Sequence, residues 1–403
     1  MADNKDVLRN LPKVYGTEII PHFQLKRTHH HIVCIVGPPG CGKSETAEMG
    51  FREVARSLHL EFKGNPRPED WTAKKEDGTP RYFCFSIVNA AMLSEVDVNG
   101  IPFKYTTTEG IDVTRFLPSD LLPSSGVGVV FFDEFPNAPR AVQVACQPIF
   151  LTRSVSNRKI SDGVQFVLAG NRPEDGCHIE FATTALLDRL HFFEFVPNPL
   201  TRDINTPAGL PTWPEILKET GRPLEPMLHA FLVSPVCDGI DKYAKAGEYV
   251  SVTRRGITMT SEELKSITGS HLDTPEFRKQ IVGAKLGLDF ASKFEEFRKL
   301  SKKISLKDLF AKPDMINKYV NDAGVMYALC ASLGMHAKDE DTANDVFGVV
   351  AVMRQREYGL FVIRGMYDAQ KEQSTVTGWL KNTKHGRAII SDKEYSSLFF
   401  SKD

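Results

Sequence analysis

The chain has no apolar run near the roughly 20 residues that a bilayer-spanning helix needs, no C-x-x-C pair, and almost no net charge, −1 over 403 residues. The first absence argues against a membrane partner. The near-zero charge removes the global field that would draw the protein to DNA, RNA or anionic lipid, so nucleic acid is not the expected partner. Cysteine is sparse. Seven are scattered at 34, 41, 84, 146, 177, 237 and 330, an odd number that fits neither a disulfide framework nor a zinc site. Several lie in apolar segments and read as small buried residues. The opening "MADNKDVLRNLPK" lacks the apolar core of a signal peptide, and a cytoplasmic protein is expected. The histidines of "THHHIVC", His29 to His31, are adjacent on a candidate strand. Neighbouring strand side chains point to opposite faces, so they converge poorly on one metal ion.

What is present is an ordinary globular composition, 41% hydrophobic and 25% charged, in a chain long enough for two or three domains. Residues 1–28 show no periodicity and read as an arm. From 29 to 197 short apolar runs alternate with helical stretches, the pattern of an α/β fold with a parallel sheet flanked by helices. The candidate strands are "HIVCIV" (31–36), "RYFCFSI" (81–87), "GVVFFD" (128–133), "VQFVLAG" (164–170) and "HFFEF" (191–195). Near-continuous apolar runs suit strands buried on both faces. The polar stretch "KGNPRPEDWTAKKEDGTPR" reads as solvated surface. Past Phe195 a segment rich in Pro and Thr marks a boundary. From 214 onward helical patterns dominate, among them "WPEILKE", "PMLHAFLV", "TSEELKSI" and "PEFRKQIVGAKLGLDFASKFEEFRKL".

Chemistry concentrates at the strand ends. "GPPGCGKS", Gly37, Pro38, Pro39, Gly40, Cys41, Gly42, Lys43 and Ser44, fits G-x-x-x-x-G-K-[ST] between a strand and a helix, the phosphate-binding loop. Backbone N–H groups of such a loop and of the helix that begins near Glu45 converge on phosphate oxygens. Lys43 is placed to reach the β/γ-phosphates, and the Ser44 hydroxyl to hold Mg²⁺. The third strand ends in "VVFFDEF". Asp133 there suits the metal, and Glu134 suits polarisation of an attacking water, which favours hydrolysis over kinase chemistry. Asn171, in "VLAGN", is a candidate to orient that water or touch the γ-phosphate. Arg189, in "ALLDRLHFFEF", is a candidate to neutralise transition-state charge in a neighbouring subunit. Its alternative is a surface pair with Asp188, worth little, and Arg153 and Arg172 are rivals for inter-subunit contact. None of these residues separates adenine from guanine.

The order of "GPPGCGKS", "FFDE", "LAGN" and "LLDRL", then helices, resembles the AAA+ ATPases. "AAMLSEVDVNGIPFKY" and the run from "FLPSDLLP" through "FFDEFPNAPRAVQ" to "GNRPED" look more narrowly like the MoxR-like, dynein-related branch. The resemblance is carried by residues 31–196. It implies an AAA+ core, a helical lid at 198–300 and a C-terminal helical region at 301–403. It further implies ATP with Mg²⁺, a homo-oligomeric ring, usually a hexamer, a protein client, and in many members a partner with a von Willebrand factor A domain. "SVTRRGITMTSEELKSI" looks like the family's lid segment, with Arg254 as the nucleotide-sensing arginine. Here Thr253 replaces the usual proline and Arg255 competes. "VNGIPFKYTTTEG" is either a pore-facing loop gripping a client through Ile101 and Phe103 or a plain β-hairpin. The alternative function is a nucleic-acid-associated or GTP-preferring motor.

Overall fold

The computed structural model describes residues 11–24, 32–156, 158–172, 184–202, 206–207, 209–244, 249–370 and 373–395. The chain divides into two units, Met1–Asn198 and Pro199–Asp403.

In the first unit, strands form where the sequence is apolar enough to be buried from both sides. In chain order they are β1 (Lys13–Tyr15), β2 (Ile32–Val36), β3 (Glu61–Gly64), β4 (Tyr82–Asn89), β5 (Ile101–Thr106), β6 (Asp112–Leu117), β7 (Val127–Asp133), β8 (Ser154–Val155), β9 (Arg158–Lys159), β10 (Val164–Gly170) and β11 (Leu190–Val196). Seven of them build one sheet in the order β1-β11-β2-β10-β7-β4-β3. Every neighbouring pair is parallel.

Because strand side chains alternate, each central strand feeds two cores. Cys34, Val130, Phe132 and Leu168 pack on one face with Val142, Cys146, Ile149 and Phe150 of helix Arg140–Thr152. Val33, Ile35, Val129, Phe131, Val167 and Ala169 pack on the other with Ala47, Phe51, Val54 and Ala55 of helix Lys43–Ser57. The spacings within both helices keep one face apolar at helical period. Register then decides what lies at the strand ends. Gly170 sits beside Val36, Leu168 beside Phe132, and Asn89 beside Asp133. The chain therefore leaves β2, β7 and β10 along one edge of the sheet.

The five expected strands are present, and two more join them. The arm contributes β1, paired with β11 at Lys13↔Glu194 to Tyr15↔Val196. Three residues are too few to show periodicity. The stretch expected as solvated surface instead begins within β3 and carries helix Pro68–Thr72, which buries Trp71 at 6% exposure in the sheet core. That tryptophan was the available signal, outweighed by the charges around it. His29 to His31 and Cys177 lie outside the described residues.

The second unit is helical. The expected segments appear as helices Trp213–Glu219, Pro226–Val233 and Arg254–Ile267. The long pattern from 275 to 300 splits into Pro275–Leu286 and Leu288–Leu300. The break is at Gly287, whose φ of 93° leaves the helical region. Phe231 anchors this part of the core, with Phe290, Phe294 and Phe297 ring centroids 5.2, 5.6 and 5.5 Å away. Among the described residues no helix is long and apolar enough to cross a membrane.

Candidate active site

Three chain exits meet at the edge where β2, β10 and β7 end. After β2, the glycine-rich loop runs into helix Lys43–Ser57, with Gly42 as its N-cap at φ 96°, a left-handed conformation that suits glycine. The helix N-terminus and the loop N–H groups supply positive potential for an anion.

Lys43 is buried at 7% exposure and its ammonium is fully engaged. Nζ donates to the carbonyls of Gly37 and Pro38, each at 2.9 Å, and to Asn171 Oδ1 at 3.0 Å. The other end of the same amide faces Glu134, with Asn171 Nδ2 donating to Oε1 at 3.1 Å and to Oε2 at 3.2 Å. An amide oxygen toward an ammonium and an amide nitrogen toward a carboxylate is the orientation that satisfies both neighbours. Asn171 thereby links the loop lysine to the acidic strand end.

Ser44 Oγ donates to Asp133 Oδ2 at 2.8 Å, while Asp133 Oδ1 accepts from the Glu134 N–H at 3.0 Å. A hydroxyl and a carboxylate are the hard oxygen donors that suit Mg²⁺. Among the described residues no group of three or more His, Cys, Asp and Glu could hold a metal. A cation here would thus draw its remaining ligands from phosphate and water.

Glu134 takes φ 55°, ψ 27°, which turns the chain into the short helical turn Phe135–Asn137. Sequence reading passed over Asn137, whose Nδ2 donates to Glu134 Oε2 at 2.5 Å. The signal was its position three residues past the glutamate, within reach across one tight turn.

The remaining candidates separate. Arg189 is half-buried at the turn entering β11, and its carbonyl accepts from Ile32 N at 3.4 Å. It stands at the beginning of β11 beside the beginning of β2, whereas the glycine-rich loop follows the end of β2. The five residues of β2, about 13 Å end to end, lie between those two levels.

Arg153, a rival for inter-subunit contact in the sequence, is turned into its own chain. It is 8% exposed, caps helix Arg140–Thr152 in the left-handed region, and donates through Nη2 to the carbonyls of Ser161 and Val164, both at 2.5 Å. Burial pulls its guanidinium below the usual arginine range, opposed by Asp162 at 4.0 Å. Arg153→Ala is expected to destabilise the fold by about 2–3 kcal/mol, since two carbonyls lose a charged donor. Denaturant unfolding checks this, and an unchanged midpoint would return Arg153 to the surface contacts. Arg172 pairs with Glu194 of its own chain at 3.1 Å.

In the helical unit, Arg254 is the first residue of its helix and Thr253 is the N-cap, accepting from Gly256 N. The hydroxyl gives position 253 a capping role that a proline would not. Arg254 is buried against Asp241, at 2.9 to 3.2 Å, and lies 5.2 Å from the Trp213 ring centroid. Arg255 is exposed.

Cys34, Cys41, Cys84, Cys146 and Cys330 are buried thiols, as small core residues would be. Desolvation pushes the Cys84 and Cys146 thiols up to about 12, far from nucleophilic use at neutral pH.

Strands β5 and β6 pair antiparallel as a hairpin. Cross-strand partners share a face, so Ile101 and Leu117, Phe103 and Arg115, and Tyr105 and Val113 lie together. Ile101 is 57% and Leu117 52% exposed. Arg115 stacks on Tyr105 at 3.7 Å.

No protein-family model and no curated protein matches this chain. Among solved structures it is similar to a RuvB mutant of Thermotoga maritima, at 13% identity, covering 72% of this chain and 78% of that one, with a TM-score of 0.31. It is also similar to NtrX from Brucella abortus, at 15% identity, with 82% and 70% covered and a TM-score of 0.35. For the ORC2 protein of Aeropyrum pernix, in ADPNP–ADP complexes, the figures are 12%, 97% and 99%, and 0.33.

Proposed function

We propose that this chain is an ATP-hydrolysing protein of the AAA+ class, most similar to the MoxR-like branch, which assembles as a ring and remodels a protein client. The observation that carries the reading is the continuous chain Lys43–Asn171–Glu134 beside the Ser44–Asp133 pair. The reading is supported by groups within hydrogen-bond reach of one another that suit such a reaction: a glycine-rich loop at a helix N-terminus, a lysine, oxygen donors suited to a divalent cation, and a carboxylate suited to polarising water. Mg²⁺, held by Ser44 and Asp133, would neutralise charge on the phosphates. Glu134 accepts the proton of the attacking water, and Asn171 keeps that carboxylate and Lys43 in mutual register.

A trans role for Arg189 belongs to the same proposal, with a surface pair with Asp188 as its alternative. Arg189 stands at the opposite end of the strands from the glycine-rich loop of its own chain, so any contact with a γ-phosphate would be made in a neighbour. A hexamer, a lid sensor role for Arg254 and a partner with a von Willebrand factor A domain follow from the family resemblance. The exposed apolar face of the hairpin, with Ile101 and Phe103, is the surface offered to the client.

Phosphate release from ATP·Mg²⁺ tests the reaction, and EDTA is expected to abolish it. Parallel assays with GTP, and with DNA across a salt series, decide against the alternative motor if neither raises the rate. Light scattering with and without ATP·Mg²⁺ tests assembly. A monomer under all conditions that still hydrolyses ATP would remove Arg189 from catalysis.

A further inference from the structure

We infer that Asn137 is a positioning residue which, together with Asn171, fixes the Glu134 carboxylate for hydrolysis; the inference rests on the hydrolytic reading of this site. The two amides approach the carboxylate from different elements. Asn171 follows β10 and reaches both oxygens, whereas Asn137 closes the turn after β7 and reaches Oε2 alone at 2.5 Å. A carboxylate held from one side can still swing about its last torsion. Donors on two elements remove that freedom while leaving lone pairs for a water.

The frame around Asn137 is rigid. Its backbone N–H donates to the Glu134 carbonyl at 2.9 Å, and Phe135 and Pro136 between them are buried. Pro136 lies against Gly170, where an added Cβ would sit 2.4 Å from the Pro136 Cδ. The turn bearing Asn137 is thus seated on the last residue of the strand that delivers Asn171. Another asparagine near the site does different work. Asn89, paired in register with Asp133, uses Oδ1 to accept from Ala91 N at 3.1 Å and caps its own turn.

Proton transfer to a base is steep in geometry, and an error of about 1 Å costs roughly 100-fold. The test uses the full chain carrying Asn137→Ala, the isosteric Asn137→Asp, Glu134→Gln, and the Glu134→Gln/Asn137→Ala pair. Single-turnover phosphate release is read beside equilibrium nucleotide binding and thermal melting. Asn137→Ala is expected to lower the rate by about tenfold or more with Kd within about twofold of wild type. Asn137→Asp, which replaces the donor with a like charge at equal volume, is expected to be slower still. In the Glu134→Gln background Asn137→Ala should add no further loss, because the group it positions is already disabled.

Three results would overturn the inference while leaving the hydrolytic reading intact: a wild-type rate in Asn137→Ala, a loss that multiplies in full onto Glu134→Gln, or an Asp variant better than the Ala variant, which is the order a packing role gives. A wild-type chain that releases no phosphate fails at the earlier step and takes the reading and the inference with it.

Discussion

Glu134→Gln is expected to hold ATP with near wild-type affinity and to hydrolyse it about two to four orders of magnitude more slowly. The substitution keeps shape and length, and a glutamine oxygen in the Oε2 position still accepts from both Asn171 and Asn137, so the half-buried site survives. What is lost is the capacity to take a proton from water as it attacks. The proposed nucleotide contacts come from other groups, the loop and Lys43, so ground-state binding is expected to stay near wild type and the loss to fall on the chemical step. Single-turnover phosphate release and a binding titration, done on the same preparation, read the two quantities apart. Normal turnover would sink the assignment of Glu134 as the base. The variant is also the tool for assembly, because a chain that keeps its nucleotide keeps whatever ring the nucleotide stabilises.

Lys43→Ala is expected to show the complementary pattern, with binding itself abolished or nearly so. Truncating a buried charged partner of a phosphate costs about 3 kcal/mol, roughly 150-fold in Kd. In this protein the loss has a second source. Lys43 also ties the Gly37 and Pro38 carbonyls to Asn171, so without it the loop loses the tether that holds its backbone over the strand end. Isothermal titration with ATP·Mg²⁺ measures the effect, and thermal melting separates it from unfolding. Affinity equal to wild type would remove the loop from nucleotide binding altogether. A variant deficient in binding and another deficient only in hydrolysis would together assign the two halves of the site.

Sequence reasoning has most to draw on where the signal is contiguous. The loop from Gly37 to Ser44 and the Asp133–Glu134 pair are runs of adjacent residues between recognisable elements. Their chemistry needs no knowledge of distant parts of the chain. The buried strands were legible for a related reason. A strand covered on both faces has to be apolar at nearly every position, as β2 is.

Harder were elements whose stability comes from one partner. Strand β1 is three residues long and exists because β11 presents an open edge. The helix at Pro68–Thr72 rests on a single tryptophan entering the sheet core. Arg153 is a candidate for inter-subunit contact in the sequence, and within the chain the carbonyls of Ser161 and Val164 converge to hold it. In each case the deciding neighbour is elsewhere in the chain, and the local composition points the other way.

By itself, then, the sequence determined a parallel α/β pattern followed by helices, with a glycine-rich G-x-x-x-x-G-K-S loop and an acidic strand end. Periodicity and adjacency are properties of the chain alone. Only the tertiary structure decided which side chains meet. Asn171 and Glu134 are 37 residues apart and come within hydrogen-bond distance because β10 pairs with β7 in parallel register. Asn137 reaches the same carboxylate because Glu134 adopts a left-handed turn and Pro136 seats that turn on Gly170. A hydrogen bond depends on ångström distances, and those are set by strand pairing and packing.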